Sequence, residues 1–232
     1  MLFSEHPEVA REVMAAAERR DRAGYVSKGN AVVQIKELTL CLNAAWLRRQ
    51  AGHKARAEPD TLGQTRINLG VAFDRWLPAA EVGQERLELL LPAGIASGRL
   101  DLRIEGDPAE VKTTWAYPEK KGEEVELKPQ YVEQLAGYLL ADGWKKQGWL
   151  LILHAARPVF RAFRVGFGDN ELAAFYEELA RRADLVTGPT MPGMAEHYDW
   201  EPRYCSETPC PCSGTGGKQF GFFSGEQFHG LH

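Results

Sequence analysis

The spacing of apolar residues changes period several times along the chain, and each change predicts a change of element. Residues 4 to 22 are rich in Ala, Glu and Arg and have helical composition. "IKELTLCLNAAWLRRQAG" (35–52) places apolar residues at helical spacing until Gly52 stops it, which puts Cys41 on a helix. "HKARAEPD" (53–60) reads as a polar linker, and "TLGQTRINLGVAFDRWLPAA" (61–80) as a further helix ended at Pro78. The period then falls to two. "ERLELLLPAG", "SGRLDLRIEG" and "PAEVKTTWA" alternate apolar with polar residues between Gly and Pro breaks, predicting three antiparallel strands. "LKPQYVEQLAGYLLADG" returns to helical spacing between Pro129 and Gly143. "GWLLILHAA" and "VFRAFRVGF" predict two more strands, the first apolar enough to be central, and "DNELAAFYEELARRADLV" a closing helix.

Helices, three strands, helix, two strands, helix is an α/β order, and it predicts a central mixed sheet flanked by helices. From about residue 188 the composition turns to Pro, Gly, aromatic and polar residues without period, a loop-rich tail that needs another anchor. The expected division is an N-terminal helical segment (1–36), a core (37–187) and this tail (188–232). With 232 residues, 44% of them hydrophobic, the core can be substantial. Lys and Arg number 28 against 32 Asp and Glu, so the net charge is -4. That excludes a protein holding nucleic acid by a broad basic surface, and any polyanion needs a local groove or metal ions. No run of eighteen apolar residues and no signal-like block is present, so the expectation is a cytoplasmic protein with no membrane partner.

The informative charges lie in "GRLDLRIEGDPAEVKTT" (98–114). Asp101 ends one expected strand, while Glu110 and Lys112, two apart on the next, share a face. One reading is the wet side of an edge hairpin. The other is two carboxylates for Mg²⁺ or Mn²⁺ with a lysine to orient water or neutralise a transition state. On the following helix Gln134 and Tyr138 are four apart and stack on one side.

Gly98 and Asp101 (GxxD), Glu110 and Lys112 (ExK), then Gln134 and Tyr138 (QxxxY), in this order, resemble the RecB-like branch of the PD-(D/E)XK nucleases. That branch includes AddB-type recombination nucleases and the CRISPR-associated Cas-four group, and the likeness spans roughly residues 35 to 215. It implies a restriction-endonuclease-like core, with Asp101, Glu110 and the Val111 carbonyl as ligands of Mg²⁺ or Mn²⁺. Lys112 would be the catalytic lysine, with Gln134 and Tyr138 positioning DNA or that lysine. The family's preceding helix usually carries Gly, three residues and His. Here "GVAFD" offers Gly70 and Asp74, so Asp74 either replaces the histidine as ligand or sits on an exposed helix face.

Cysteine placement extends the resemblance. Cys41 stands alone and Cys205, Cys210 and Cys212 crowd in "YCSETPCPC", the one-plus-three distribution with which Cas-four and AddB-type proteins close a [4Fe-4S] cluster. The Cx4CxC spacing departs from the family, so structural Zn²⁺ is the alternative, and His197 is a further nearby donor. Such a centre would supply the tail's anchor.

The implied activity is metal-dependent hydrolysis of DNA, with single-stranded or frayed ends as substrate of an exonuclease, and recombination, repair or CRISPR adaptation proteins as partners. Lys120, Lys121, Lys128, Lys145 and Lys146 flank the QxxxY helix and could track a backbone, with Trp115, Tyr117 or Tyr131 available to stack on bases. A DNA-end-binding or assembly module with weak or no catalysis is the alternative that Asp74 favours. A site-specific restriction-type endonuclease shares the carboxylates but would not ordinarily carry the QxxxY helix or the cysteines.

Overall fold

A computed structural model of the chain describes residues 2–10, 33–50, 85–115, 127–156, 159–193, 222–223 and 229–230. Its strands are β1 (Leu2–Glu5), β2 (Val33–Gln34), β3 (Glu85–Leu91), β4 (Gly94–Leu100), β5 (Leu102–Ile104), β6 (Asp107–Thr114), β7 (Gln147–His154), β8 (Val159–Gly166) and β9 (His229–Gly230). Residues 7–10 are helical, and the helices that follow are α1 (Ile35–Leu38), α2 (Leu42–Gln50), α3 (Pro129–Ala141) and α4 (Asp169–Thr187). The main sheet has the order β5-β6-β7-β8-β1-β9, and a smaller one the order β2-β4-β3. Within the main sheet β6 and β7 run parallel, joined by the crossover through α3, while β5–β6 and β7–β8 are antiparallel. This is the mixed sheet flanked by helices that the alternation of periods predicts.

Alternation along β6 and β7 sorts the two faces. Leu150 and Ile152 of β7, with Phe163 and Val165 of β8, join the large core around Val132, Leu135 and Leu139 of α3 and Leu172, Phe175 and Leu179 of α4. Val111, Trp149, Leu151 and Ala162 point the other way, into a second cluster closed by Ala10. Each fully buried aliphatic or aromatic side chain here contributes about 1.5–3 kcal/mol. Glu110 and Lys112 register with Leu150 and Ile152, so both point toward α3.

Three expectations are corrected. Residues 2–5, placed in an N-terminal helical segment by their neighbours' composition, form β1 and pair antiparallel with β8. Helix begins only at residue 7, and Arg161 of β8 binds the Glu5 carboxylate at 2.6 and 2.5 Å. The helix expected over 35–52 is broken at residues 39–41, so Cys41 immediately precedes α2, its carbonyl accepting the Ala45 N–H at 3.1 Å. The strand expected through "SGRLDLRIEG" is split at Asp101: β4 pairs with β3 in the smaller sheet, whereas β5 pairs with β6 in the main one. A two-residue hairpin, Glu105 and Gly106, both at positive φ (53° and 82°), closes β5 onto β6. Expected elements over 11–32 and 51–84 lie outside the described residues.

The tail has an anchor that composition did not reveal. Phe223 is 2% exposed and packs with Phe175 and Phe167, while β9 adds a parallel pair to β1. The Phe222 N–H donates to Glu133 Oε1 at 2.5 Å. Glu133 Oε2 accepts from Arg182 at 2.6 Å, and Arg182 also reaches the Leu38 carbonyl at 2.9 Å and Glu178 at 2.7 Å. Burial opposes the charge on Arg182, but Glu133 and Glu178 more than offset it and raise its pKa. This network fastens α3, α4, α1 and the tail to one another.

Truncating one member of a buried ion pair strands the other. Glu133→Ala should therefore cost about 3–5 kcal/mol, read as a shift of the urea midpoint. At the surface, Arg103 holds Asp142 by two bonds of 2.7 and 2.8 Å, and this bonding lowers the Asp142 pKa against the opposing effect of burial. A depressed carboxylate stabilises the fold above its unfolded pKa and loses that contribution as pH falls through its folded value. Asp142→Asn should therefore cost about 1–3 kcal/mol at pH 7. Thermal melts across pH should show the deficit closing well below about pH 4.

Candidate functional site

The site forms because β6 turns two charged residues inward under an apolar helix. Glu110 is 2% exposed, and its carboxylate contacts the Lys112 ammonium, whose side chain is 23% exposed. Such a pair requires further polar partners. Gln134 supplies one: Lys112 Nζ donates to Gln134 Oε1 at 2.8 Å. An ammonium cannot accept, so the amide oxygen must face it, and Gln134 Nε2 then donates to the Tyr138 hydroxyl at 2.8 Å. Glu110, Lys112, Gln134 and Tyr138 thus form one polar chain across the β6–α3 interface, buried except at Lys112.

Its electrostatics favour a permanent cation. Burial would lower the Lys112 pKa, but the charges of Glu110 and Asp101 outweigh it and hold the ammonium above its ordinary value. Burial, then the same two carboxylates, push the Tyr138 phenol well above its ordinary value. Lys112 stays charged and Tyr138 stays neutral across the range in which proteins work.

Asp101 sits where the chain passes between the two sheets. The β5–β6 register, continued beyond Leu102↔Ala109, would set Leu100 opposite Val111, but Leu100 is paired with Glu85 in the smaller sheet. The Asp101 carboxylate takes that place, Oδ2 accepting the Val111 N–H at 2.9 Å. A strand residue in such a pair offers its N–H and C=O to the same neighbour, so the Val111 carbonyl lies on the Asp101 edge. Gly98 is explained by Tyr138: a Cβ there would lie 2.2 Å from Tyr138 Cε1. Only glycine lets the aromatic ring rest on β4.

Among the described residues no three His, Cys, Asp or Glu side chains come together as a metal-holding group. What the chain offers is Asp101 and Glu110, two carboxylates that both act on Lys112, and the Val111 carbonyl, oxygen donors of the kind that suit Mg²⁺ or Mn²⁺, ions content with one or two carboxylates plus water and phosphate. Asp74 and Gly70 lie outside the described residues, as do Cys205, Cys210, Cys212, His197, Tyr117, Lys120 and Lys121. Cys41 is buried, and the departing tail begins on the helix that follows it: Trp46 Nε1 donates to the Gly188 carbonyl at 3.0 Å and Asn43 Nδ2 to that of Gly193 at 3.2 Å.

The remaining basic and aromatic candidates separate. Lys145 and Lys146 are engaged at the C-terminal end of α3, with Asp142 at 3.1 Å and Asp169 at 2.9 Å, and do not form a track beside Lys112. Tyr131, one turn before Gln134, does stand at the site, its ring centroid 5.7 Å from Lys112 Nζ and 5.6 Å from Lys128 Nζ. Trp115 is 41% exposed just past β6. Sequence reasoning missed Thr114 and His154, a buried register pair on the same sheet face one step beyond Lys112. The polar residue ending an otherwise apolar β7 is the signal that could have found it.

Gly98→Ala should lower the melting temperature, with a cost of about 1–3 kcal/mol as Tyr138 is displaced. Adding Tyr138→Ala removes the clash, so a double-mutant cycle should return a large favourable coupling rather than additive losses.

No family model matches the sequence, and no curated protein matches it. A solved structure described as the crystal structure of SSO0001 superposes with a TM-score of 0.54 over 90% of this chain and 96% of that one, at 16% identity. Identity this low speaks for the fold alone: the chain has an α/β architecture, a mixed sheet flanked by helices, consistent with a restriction-endonuclease-like core.

Proposed function

We propose that this protein is a metal-dependent deoxyribonuclease of RecB-like type, hydrolysing phosphodiester bonds in DNA with single-stranded or frayed ends as substrate. The observation that carries the reading is the polar chain itself: ExK on β6 and QxxxY on α3 are joined through Lys112 and Gln134 at 2.8 Å, beside Asp101. A purely structural pair would be cheaper as two apolar residues, and nothing in packing demands a lysine, a glutamine and a tyrosine in series.

Asp101, Glu110 and the Val111 carbonyl would hold Mg²⁺ or Mn²⁺, which when bound supplies an acidified water and a charge for the phosphate oxygens. The chain's own residues do the rest. Lys112, held as an ammonium beside Glu110 and Asp101, would offset negative charge as it develops on phosphorus. Gln134 fixes the ammonium's direction, and Tyr138, kept neutral, fixes Gln134. Burial of Glu110, Gln134 and Tyr138 beneath α3 strengthens the interactions among them.

The four cysteines are assigned to a [4Fe-4S] cluster, with structural Zn²⁺ as the alternative. The tail setting out from α2, next to Cys41, supports this. No helix among the described residues is long and apolar enough to cross a membrane. The role that belongs to this reading is cytoplasmic, in the host or a phage-infected cell, alongside recombination, repair or CRISPR adaptation proteins. The second reading, a DNA-end-binding or assembly module with weak or no catalysis, draws on Asp74 standing where the family's helix usually carries histidine.

Labelled single-stranded DNA should be degraded with Mg²⁺ or Mn²⁺ and left intact with chelator. Lys112→Ala should reduce the rate about 10²–10³-fold. The charge-balanced pair Glu110→Gln with Lys112→Met, which strands no buried charge, should be inactive while melting near the wild type. A folded wild-type protein that shifts DNA yet leaves it uncut under both ions would decide for the binding module.

A further inference from the structure

We infer that Tyr131 is the platform on which the nucleobase next to the reacting phosphate stacks, so that an unpaired base, and not only a phosphate, is read at this site. The inference rests on the nuclease reading of the same site and adds a residue to it that belongs to none of its motifs. Tyr131, Gln134 and Tyr138 fall at i, i+3 and i+7 of α3 and therefore lie along one stripe of the helix. Gln134 and Tyr138 are buried, the one at the lysine and the other against Gly98. Tyr131 is only partly buried, at the end of the stripe that reaches solvent.

Two ammonium groups stand within cation–π distance of its ring. Lys112 Nζ, fixed by Glu110 and Gln134, is 5.7 Å from the centroid, and Lys128 Nζ, exposed at the entrance to α3, is 5.6 Å away. A flat π surface beside one fixed and one exposed ammonium complements a nucleotide: the base takes the ring, and the neighbouring phosphates take the two charges. Lys128 can leave the ring for a phosphate without breaking a buried contact, whereas Lys112 cannot. Paired bases are already stacked within their duplex, so such a platform selects strands that are single or frayed.

Binding is read without turnover, on the full chain in chelator, using a short single strand carrying 2-aminopurine at successive positions, and an otherwise identical strand abasic at the position of strongest quenching. The wild type should quench 2-aminopurine at one position and bind the base-bearing strand more tightly than the abasic one. Tyr131→Ala should bind the base-bearing strand about 10- to 100-fold more weakly and lose the quenching. Its affinity for the abasic strand should be nearly unchanged, and Tyr131→Trp should retain both properties. The inference is overturned if Tyr131→Ala binds the base-bearing strand as the wild type does, or loses affinity equally for both strands. A wild type that binds no DNA in chelator and also leaves it uncut with Mg²⁺ or Mn²⁺ overturns the nuclease reading and this inference together, while a wild type that cuts with Tyr131 dispensable overturns this one alone.

Discussion

A charge pair driven under a helix is the constraint from which the rest of the site follows. The parity of β6 sends Glu110 and Lys112 to the face where α3 packs, and α3 is otherwise an apolar helix in the middle of the larger core. Ions placed there must be answered by hydrogen-bonding groups in fixed geometry. Gln134 stands where an ordinary packing helix would carry leucine, Tyr138 closes the amide's second valence, and Gly98 vacates the volume that the phenol needs. Each residue is intelligible only through the one before it.

The helix that bears this chain is itself held on its other side. Glu133 and Gln134 are neighbours in sequence but point to different partners, Gln134 to Lys112 and Glu133 to Arg182 and the Phe222 amide. The rigid support that a pre-organised site requires is thus built into the same turn of helix. The division of labour on α3 is by side: one polar set clamps the helix to α4, α1 and the tail, and another faces the sheet.

Much of this was legible in the amino-acid sequence, where local patterns are long and agree with one another. Helices α3 and α4 and strands β6, β7 and β8 show sustained periods with proline or glycine at their bounds, and the sharing of a face by Glu110 and Lys112 is a matter of strand parity alone. What escaped is non-local. "LFSE" reads with the Ala-, Glu- and Arg-rich residues after it because its partner, β8, lies far along the chain. Leu100, Leu102 and Ile104 alternate without a break, so nothing local marks Asp101 as the point where one strand leaves a sheet for another. The reason for Gly98 is a tyrosine forty residues later. Phe222 and Phe223 sit in a glycine-rich stretch whose composition conceals a core contact.

The order in which the polypeptide is made has a bearing on when such a site can exist. Strand β1 is made well before one of its two neighbours, β9, which is separated from it by more than two hundred residues, and Phe223 joins the aromatic cluster nearly as late. A nascent chain that has already produced β6 and α3 still lacks the amide that completes Glu133. The helix carrying the polar chain therefore gains the Phe222 contact only after a long stretch of later chain has been made.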